Sequence, residues 1–255
     1  MIVYQGENMN NTYTLQHTVS YSEVDSFYKL RLDHIFSHFQ NIADLHSKEM
    51  GTDGEALLQK SNVFWILTKI KLKVAELPKS SVSITVETWP LKAKGIRFDR
   101  DFKLSNKDKI FVMGSSEWCT LDYTTQKLRR VDSVAYPQDM PFREDRSGAG
   151  KILRIKESVN DADINHRYRS SFVDIDTNKH TNNIAYLRMI LNCFSPEEFN
   201  ELQIDELQVS FLSQTFHGDE IVVYKKKTDY GFYIEGQCNG TGVFNCVMLV
   251  KERRN

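Results

Sequence analysis

The chain has 255 residues, 40% hydrophobic and 26% charged, with a formal net charge of -1. That composition supports a sizeable core, as one large domain or two small ones, and excludes the bulk positive field that nucleic acid requires. No apolar run reaches membrane-spanning length, residues 1–12 are polar rather than leader-like, and the four cysteines (Cys119, Cys193, Cys238, Cys246) lack CxxC spacing. The expectation is a cytoplasmic protein with no membrane span and no nucleic-acid partner.

In chain order, an alternating strand from Tyr13 to Tyr21 leads through an irregular stretch to Asp25. A helix follows, with Leu32, Ile35, Phe36, Phe39, Ile42 and Ala43 on one face, ending near Gly51. Strand-like runs then fall at Val63–Val74, Val82–Trp89, Arg97–Leu104 and Ile110–Leu121. The order then repeats: a strand near Ile164–Phe172, a polar turn, a helix at about Asn183–Phe194, and runs at Leu207–Ser213, Glu220–Lys227, Gly231–Asn239 and Val243–Lys251. Between the copies, Pro137 to Gly150 mixes charge with Pro and Gly and reads as a linker. The expected domains are therefore 1–140 and 151–255, joined by 141–150. Each would be an α+β unit, a curved antiparallel sheet wrapped around one long apolar helix.

The polar turn of the second copy, Asp174 to Asn183, concentrates the chemistry. Asp176, Asn178 and His180 stand at alternate positions, and in an extended or looping backbone such side chains face one pocket. Thr181, Asn182 and Asn183 are good helix caps, and Ile184, Leu187, Leu191 and Phe194 follow at helical spacing. The free amides around Asn182–Ile184 could then hold a developing oxyanion. A plain Asx-rich turn capping a helix explains the same residues.

The stretch from Asp174 to Tyr186, with its D-x-D-x-N-x-H-x-N-N core, resembles the signature of acyl-ACP thioesterases. The duplicated order of elements resembles a tandem hotdog fold, and together the resemblance covers about Tyr13 to Lys251. It implies hydrolysis of acyl thioesters on acyl carrier protein in fatty acid biosynthesis, without a cofactor, and an acyl-chain pocket lined partly by the first helix. It also implies roles for three matched positions: His180 as base or hydrogen-bond partner, Asp176 orienting or polarising the catalytic groups, and Asn178 positioning water or thioester; Asn183 and Gln214 are expected to contact substrate. Imidazole titrates closest to neutrality, and a carboxylate beside it would hold its tautomer.

The sequence departs from the family on the strand after the second helix. Aligning Leu207–Phe216 with that strand puts Gln214 and Thr215 where many members carry an acid and plant members a cysteine. Gln214 can orient water but cannot act as a base, so direct attack by water activated by His180 or Asp176 is expected. Acyl-CoA esters remain an alternative substrate, and a non-catalytic acyl-thioester or acyl-carrier binding protein is the reading from another class. The first copy reads Asp25-Ser26-Phe27-Tyr28-Lys29-Leu30 in the same place, so one active site per chain is expected. Two hotdogs in one chain leave both a monomer and a homodimer open.

Elsewhere, His34 and His38 have helical ligand spacing but no evident third ligand, so solvent-facing histidines and no metal site are expected. His46 reads as a satisfied core histidine and Cys193 as a packed thiol. Basic residues at Lys69, Lys71 and Lys73, at Lys92, Lys94, Arg97 and Arg100, at Arg129 and Arg130, and at Lys225 to Lys227 read as exposed strand faces. Any one cluster could meet an acidic carrier.

Overall fold

In the computed structural model, which describes residues 11–251, the alternating segments form strands of one antiparallel sheet. Residues 1–10 of the first expected domain and 252–255 of the second lie outside the described residues. The first copy supplies β1 (Tyr13–Thr18), β2 (Val63–Val74), β3 (Ser83–Pro90), β4 (Phe98–Ser105), β5 (Ile110–Asp122) and the short β6 (Leu128–Arg129). The second supplies β7 (Ile164–Arg169), β8 (Ile204–Phe211), β9 (Glu220–Thr228), β10 (Gly231–Cys238) and β11 (Thr241–Val250). Strand order is β1-β3-β4-β5-β2-β8-β11-β10-β9-β7, with β6 beside β5.

The copies agree in register as well as in order. Leu15 pairs with Val86 as His166 pairs with Val223. Phe102 pairs with Gly114 as Ile234 pairs with Cys246, and Leu72 pairs with Gly114 as Val209 pairs with Cys246. Because side chains alternate with a period of two, holding register this way keeps every core-facing position on the core face in both copies. The same correspondence matches Lys71 to Gln208, and these two pair across the β2–β8 seam. The sheet therefore has an internal two-fold between them.

Helix α1 (Leu32–Glu49) buries the predicted stripe, with Leu32, Ile35, Phe39 and Ile42 at 0% exposure. Phe39 stacks on Phe102 with ring centroids 4.6 Å apart, over Gly114, where a Cβ would lie 2.6 Å from the Phe39 ring. Helix α3 (Asn183–Leu191) occupies the matching place but has 9 residues against 18 in α1. It stops before the expected Phe194 because Ser195-Pro196 cannot continue a helix. Two further helices carry no apolar stripe that periodicity could reveal. In α2 (Gly54–Ser61), capped by the Asp53 carboxylate, only Leu57 is buried, and α4 (Pro196–Glu201), capped by Ser195, buries none.

Asp33 joins the two helices: it accepts from Arg31 at 3.0 and 3.1 Å and from Arg188 of α3 at 3.2 Å. The segment without helix or strand runs on both sides of 141–150 and is pinned over the sheet. Arg146 forks onto buried Asp101 at 3.0 and 3.1 Å, Arg143 lies 3.9 Å over the Trp89 ring, and Gln208 makes two bonds to the Leu153 backbone. Lys71 reaches Glu206 at 2.7 Å and the Lys151 carbonyl at 3.2 Å. Among the described residues, no helix is long and apolar enough to cross a membrane.

Removing the ring that spans α1 and the sheet should be costly. We expect Phe39→Ala to lose about 3–5 kcal/mol of stability in urea unfolding, with the slope unchanged.

Candidate active site

The polar segment folds by local rules. Ser171 opens a short 3-10 turn (Phe172–Asp174), and the buried Asp174 carboxylate accepts from the Ser171 amide at 2.8 Å, the Ser171 hydroxyl at 2.9 Å and the Tyr168 hydroxyl at 2.9 Å. Ile175 then pairs with Thr181, closing a tight turn in which the Asp176 amide donates to the His180 carbonyl at 2.9 Å. Lys179 sits at φ 66 to make the reversal. Asp176 Oδ1 accepts from the Asn178 amide at 2.8 Å and the His180 amide at 3.3 Å, an Asx turn.

This closed turn differs from the extended geometry expected for Asp176, Asn178 and His180. No hydrogen bond joins their side chains to one another. Asn178 is exposed, Asp176 and His180 are half-buried, and the His180 ring meets Phe216 edge-on at 5.2 Å. Among the described residues, neither His180 ring nitrogen has a hydrogen-bond partner. The structure thus brings Asp176 to the backbone of His180 and leaves the imidazole available.

The first copy is an internal control. Asp25 Oδ1 accepts from the Phe27 and Lys29 amides at 2.9 Å each, the Asp25 amide donates to the Lys29 carbonyl at 2.8 Å, and Tyr28 sits at φ 63. Val24 pairs with Leu30 as Ile175 pairs with Thr181. The aspartate therefore builds the same turn twice. What changes is the side chains presented, Phe27 and Lys29 in one copy against Asn178 and His180 in the other.

At the start of α3, the Asn182 amide donates to the Asp174 carbonyl at 2.7 Å and its side chain caps the Ile184 amide at 2.8 Å. Of the amides from Asn182 to Ile184, only that of Asn183 has no acceptor among the described residues. Asn183 is half-buried at the positive end of the helix. Gln214 and Thr215 lie beyond β8, which ends at Phe211, rather than on the strand as expected. There the Leu212 and Ser213 amides both turn to the Val243 carbonyl. Gln214 is exposed. Thr215 is 1% exposed and closes a hydroxyl chain: Ser170 to Thr181 at 3.0 Å, Thr181 to Thr215 at 2.7 Å, and Thr215 to Tyr186 at 2.9 Å. Sequence reasoning missed this chain, because its members are far apart in sequence and no periodicity connects them.

The other expectations divide. His46 is 1% exposed with Nδ1 3.0 Å from Arg100, a satisfied core histidine. Cys193 is buried, and burial pushes its thiol up to about 12, so it is a packed thiol. His38 does not face solvent as expected, since β1 and the turn before α1 cover it; its side chain is 16% exposed beside Glu23. Arg100, read as part of an exposed basic face, is buried. Lys69, Lys71 and Lys73 pair with Glu117 or Glu206.

Two measurements check this geometry. Asp25→Ala and Asp176→Ala should each lower stability by on the order of 1–2 kcal/mol, while Asp176→Asn, which keeps the acceptor oxygen, should cost less. Thr215→Val should cost about 1–3 kcal/mol in the same unfolding assay, because the Thr181 and Tyr186 hydroxyls lose their shared partner.

Comparison with known proteins places this architecture. Residues 10–136 match the acyl-ACP thioesterase N-terminal domain and residues 157–243 the C-terminal domain. A chloroplastic acyl-acyl-carrier-protein hydrolase of Cuphea viscosissima is 24% identical over 194 residues, covering 71% of this chain and 46% of its own length. A chloroplastic oleoyl-acyl carrier protein thioesterase of Coriandrum sativum is 20% identical over 199 residues, covering 71% and 53%. The chain spans about half the length of the curated relatives it matches. The crystal structure of an acyl-ACP thioesterase from Bacteroides thetaiotaomicron superposes with a TM-score of 0.81 at 24% identity, covering 94% of this chain and 98% of that one. The 12:0-ACP thioesterase from Umbellularia californica gives 0.83 at 15% identity, covering 97% and 99%. With both halves matched in order and the tandem hotdog architecture shared, this chain belongs to the acyl-ACP thioesterase family.

Proposed function

We propose that the chain hydrolyses fatty acyl thioesters carried on acyl carrier protein, releasing free fatty acid and carrier thiol. The observation that carries this reading is the duplicated turn. Its hydrogen bonding is the same in both copies, yet the second presents an amide and an imidazole, Asn178 and His180, where the first has Phe27 and Lys29. The shared turn accounts for the aspartates, and the Asn178 and His180 side chains supply the polar groups that hydrolysis needs.

In this reading His180 takes a proton from water, which attacks the thioester carbonyl carbon. The Asn183 amide meets the developing oxyanion, and collapse expels the thiolate, which recovers the proton from His180. Asp176 acts by holding the His180 backbone. Asn178 and Gln214, both exposed, bind the water or the substrate's polar end. No acyl-enzyme is invoked: Thr215 is committed to Thr181 and Tyr186, and the Cys193 thiol is buried. The reaction uses no metal or organic cofactor.

We assign the two hotdog units to 1–140 and 151–255, with 141–150 between them, and the acyl chain to the first unit beside α1. Acyl carrier protein is acidic, so a basic face of this chain meets it. The four free cysteines support a reducing, cytosolic setting.

Free-thiol release should be measured on a chain-length series of acyl-ACP beside the matching acyl-CoA esters. We expect faster turnover on acyl-ACP, a loss of at least about a hundredfold in His180→Ala, and no change in Lys29→Ala at the matching position of the first copy. Unchanged turnover in His180→Ala would remove the assigned base. Preference for CoA would reassign the carrier, and binding without thiol release would make the chain an acyl-carrier binding protein.

A further inference from the structure

A second cluster of chemistry-bearing side chains lies in the first copy, away from the polar turn. His17 on β1 places Nε2 2.8 and 3.0 Å from the two oxygens of Glu23, which ends the 3-10 turn Tyr21–Glu23. His38 on α1 places Nε2 2.9 Å from Glu23 Oε1 but outside hydrogen-bond geometry, so this buried nitrogen has no hydrogen-bond partner. All three ligand atoms fall within 4.8 Å of one another, and the imidazole centroids are 4.6 Å apart.

Comparison between the copies shows that the fold does not need this cluster. Where the first copy has His17, Glu23 and His38, the second has Tyr168, Asp174 and Met189, and the Tyr168 hydroxyl, 3.0 and 2.9 Å from the two Asp174 oxygens, does the structural work. Ser20 and Ser171 cap the two carboxylates alike, at 2.7 and 2.8 Å. His17 takes the place of the Tyr168 hydroxyl on the carboxylate, and His38 is the addition, an imidazole where the second copy has the apolar Met189. His34, also on α1, is not part of the set, since its Nε2 lies 2.7 Å from Arg31.

We propose that His17, Glu23 and His38 form a binding site for a divalent transition-metal ion of the zinc class. Tetrahedral ligands about 2.0–2.1 Å from zinc stand roughly 3.4 Å apart, so each imidazole needs to draw back from the Glu23 carboxylate by about half an ångström. His17, with its side chain 35% exposed, gives the ion a way in and leaves a fourth position for water. Two nitrogens and one oxygen suit zinc and its neighbours and disfavour the oxygen-seeking Mg2+ and Ca2+. The ion would clamp β1, the 3-10 turn and α1 together, separately from thioester hydrolysis.

The test uses the full chain, stripped with a chelator and titrated calorimetrically with Zn2+, with Mg2+ as the contrasting ion. One equivalent of Zn2+ should bind, and His17→Gln and His38→Gln should each weaken binding by at least about a hundredfold while keeping the native circular dichroism spectrum. His217→Gln, a histidine on an exposed loop outside the cluster, should bind as the unsubstituted chain does. Cobalt(II) should give tetrahedral absorption bands that both cluster variants lose. Absence of stoichiometric Zn2+ binding, binding that survives in both cluster variants, or equal affinity for Mg2+ would overturn the proposal.

Discussion

Five residue pairs between β2 and β8 turn two units into one molecule. An antiparallel pair related by a two-fold sets the residue on the axis against its own counterpart, and Lys71 against Gln208 does so. Everything else takes its place from that seam. The sheet becomes continuous, with β1 and β7 at its two ends. The two helices lie within reach of one another, so that Asp33 of α1 can be shared by Arg31 and Arg188. Lys71 and Gln208 present polar groups at the seam, and the connecting segment uses both as anchors, through the Lys151 carbonyl and the Leu153 backbone.

Duplication also separates what the fold requires from what was added. Both copies cap a 3-10 turn with a serine and a buried carboxylate, then reverse the chain around an aspartate and a left-handed residue. Three backbone amides per copy are satisfied by those two carboxylates, which is reason enough for their presence. The departures are the informative residues. One copy adds Asn178 and His180 on the turn, while the other adds His17 and His38 beneath it. Each copy thus elaborates a common frame at a different place, with different chemistry.

The hydrophobic core explains why the frame tolerates this. α1 buries Leu32, Ile35, Phe36, Phe39 and Ile42 against the sheet, and the shorter α3 buries Ala185, Tyr186, Leu187, Met189 and Ile190. Burial of this kind contributes roughly 1.5–3 kcal/mol for each large side chain. A few exposed residues on a turn can change against that background without unfolding the chain. The buried hydroxyl chain from Ser170 to Tyr186 couples the turn to α3, so the polar site rests on the apolar helix through Thr181 and Thr215.

Strand alternation and helical spacing were enough to read ten of the eleven strands among the described residues and both core helices, and the repeated order pointed to tandem duplication, because these patterns follow from local geometry alone. Short α2 and α4 escaped, since caps rather than apolar stripes define them. In the site, the sequence singled out Asp176, Asn178, His180 and Asn183 by residue type and spacing. Only the tertiary structure decided what each does: the Asp176 carboxylate is drawn to the amides of its own turn, the Ile184 amide to its cap, Gln214 off the strand, and Thr215 into a buried hydroxyl chain. The meeting of His17, Glu23 and His38 was equally invisible beforehand. They come from a strand, a turn and a helix whose mutual placement depends on packing, which no local pattern in the chain records.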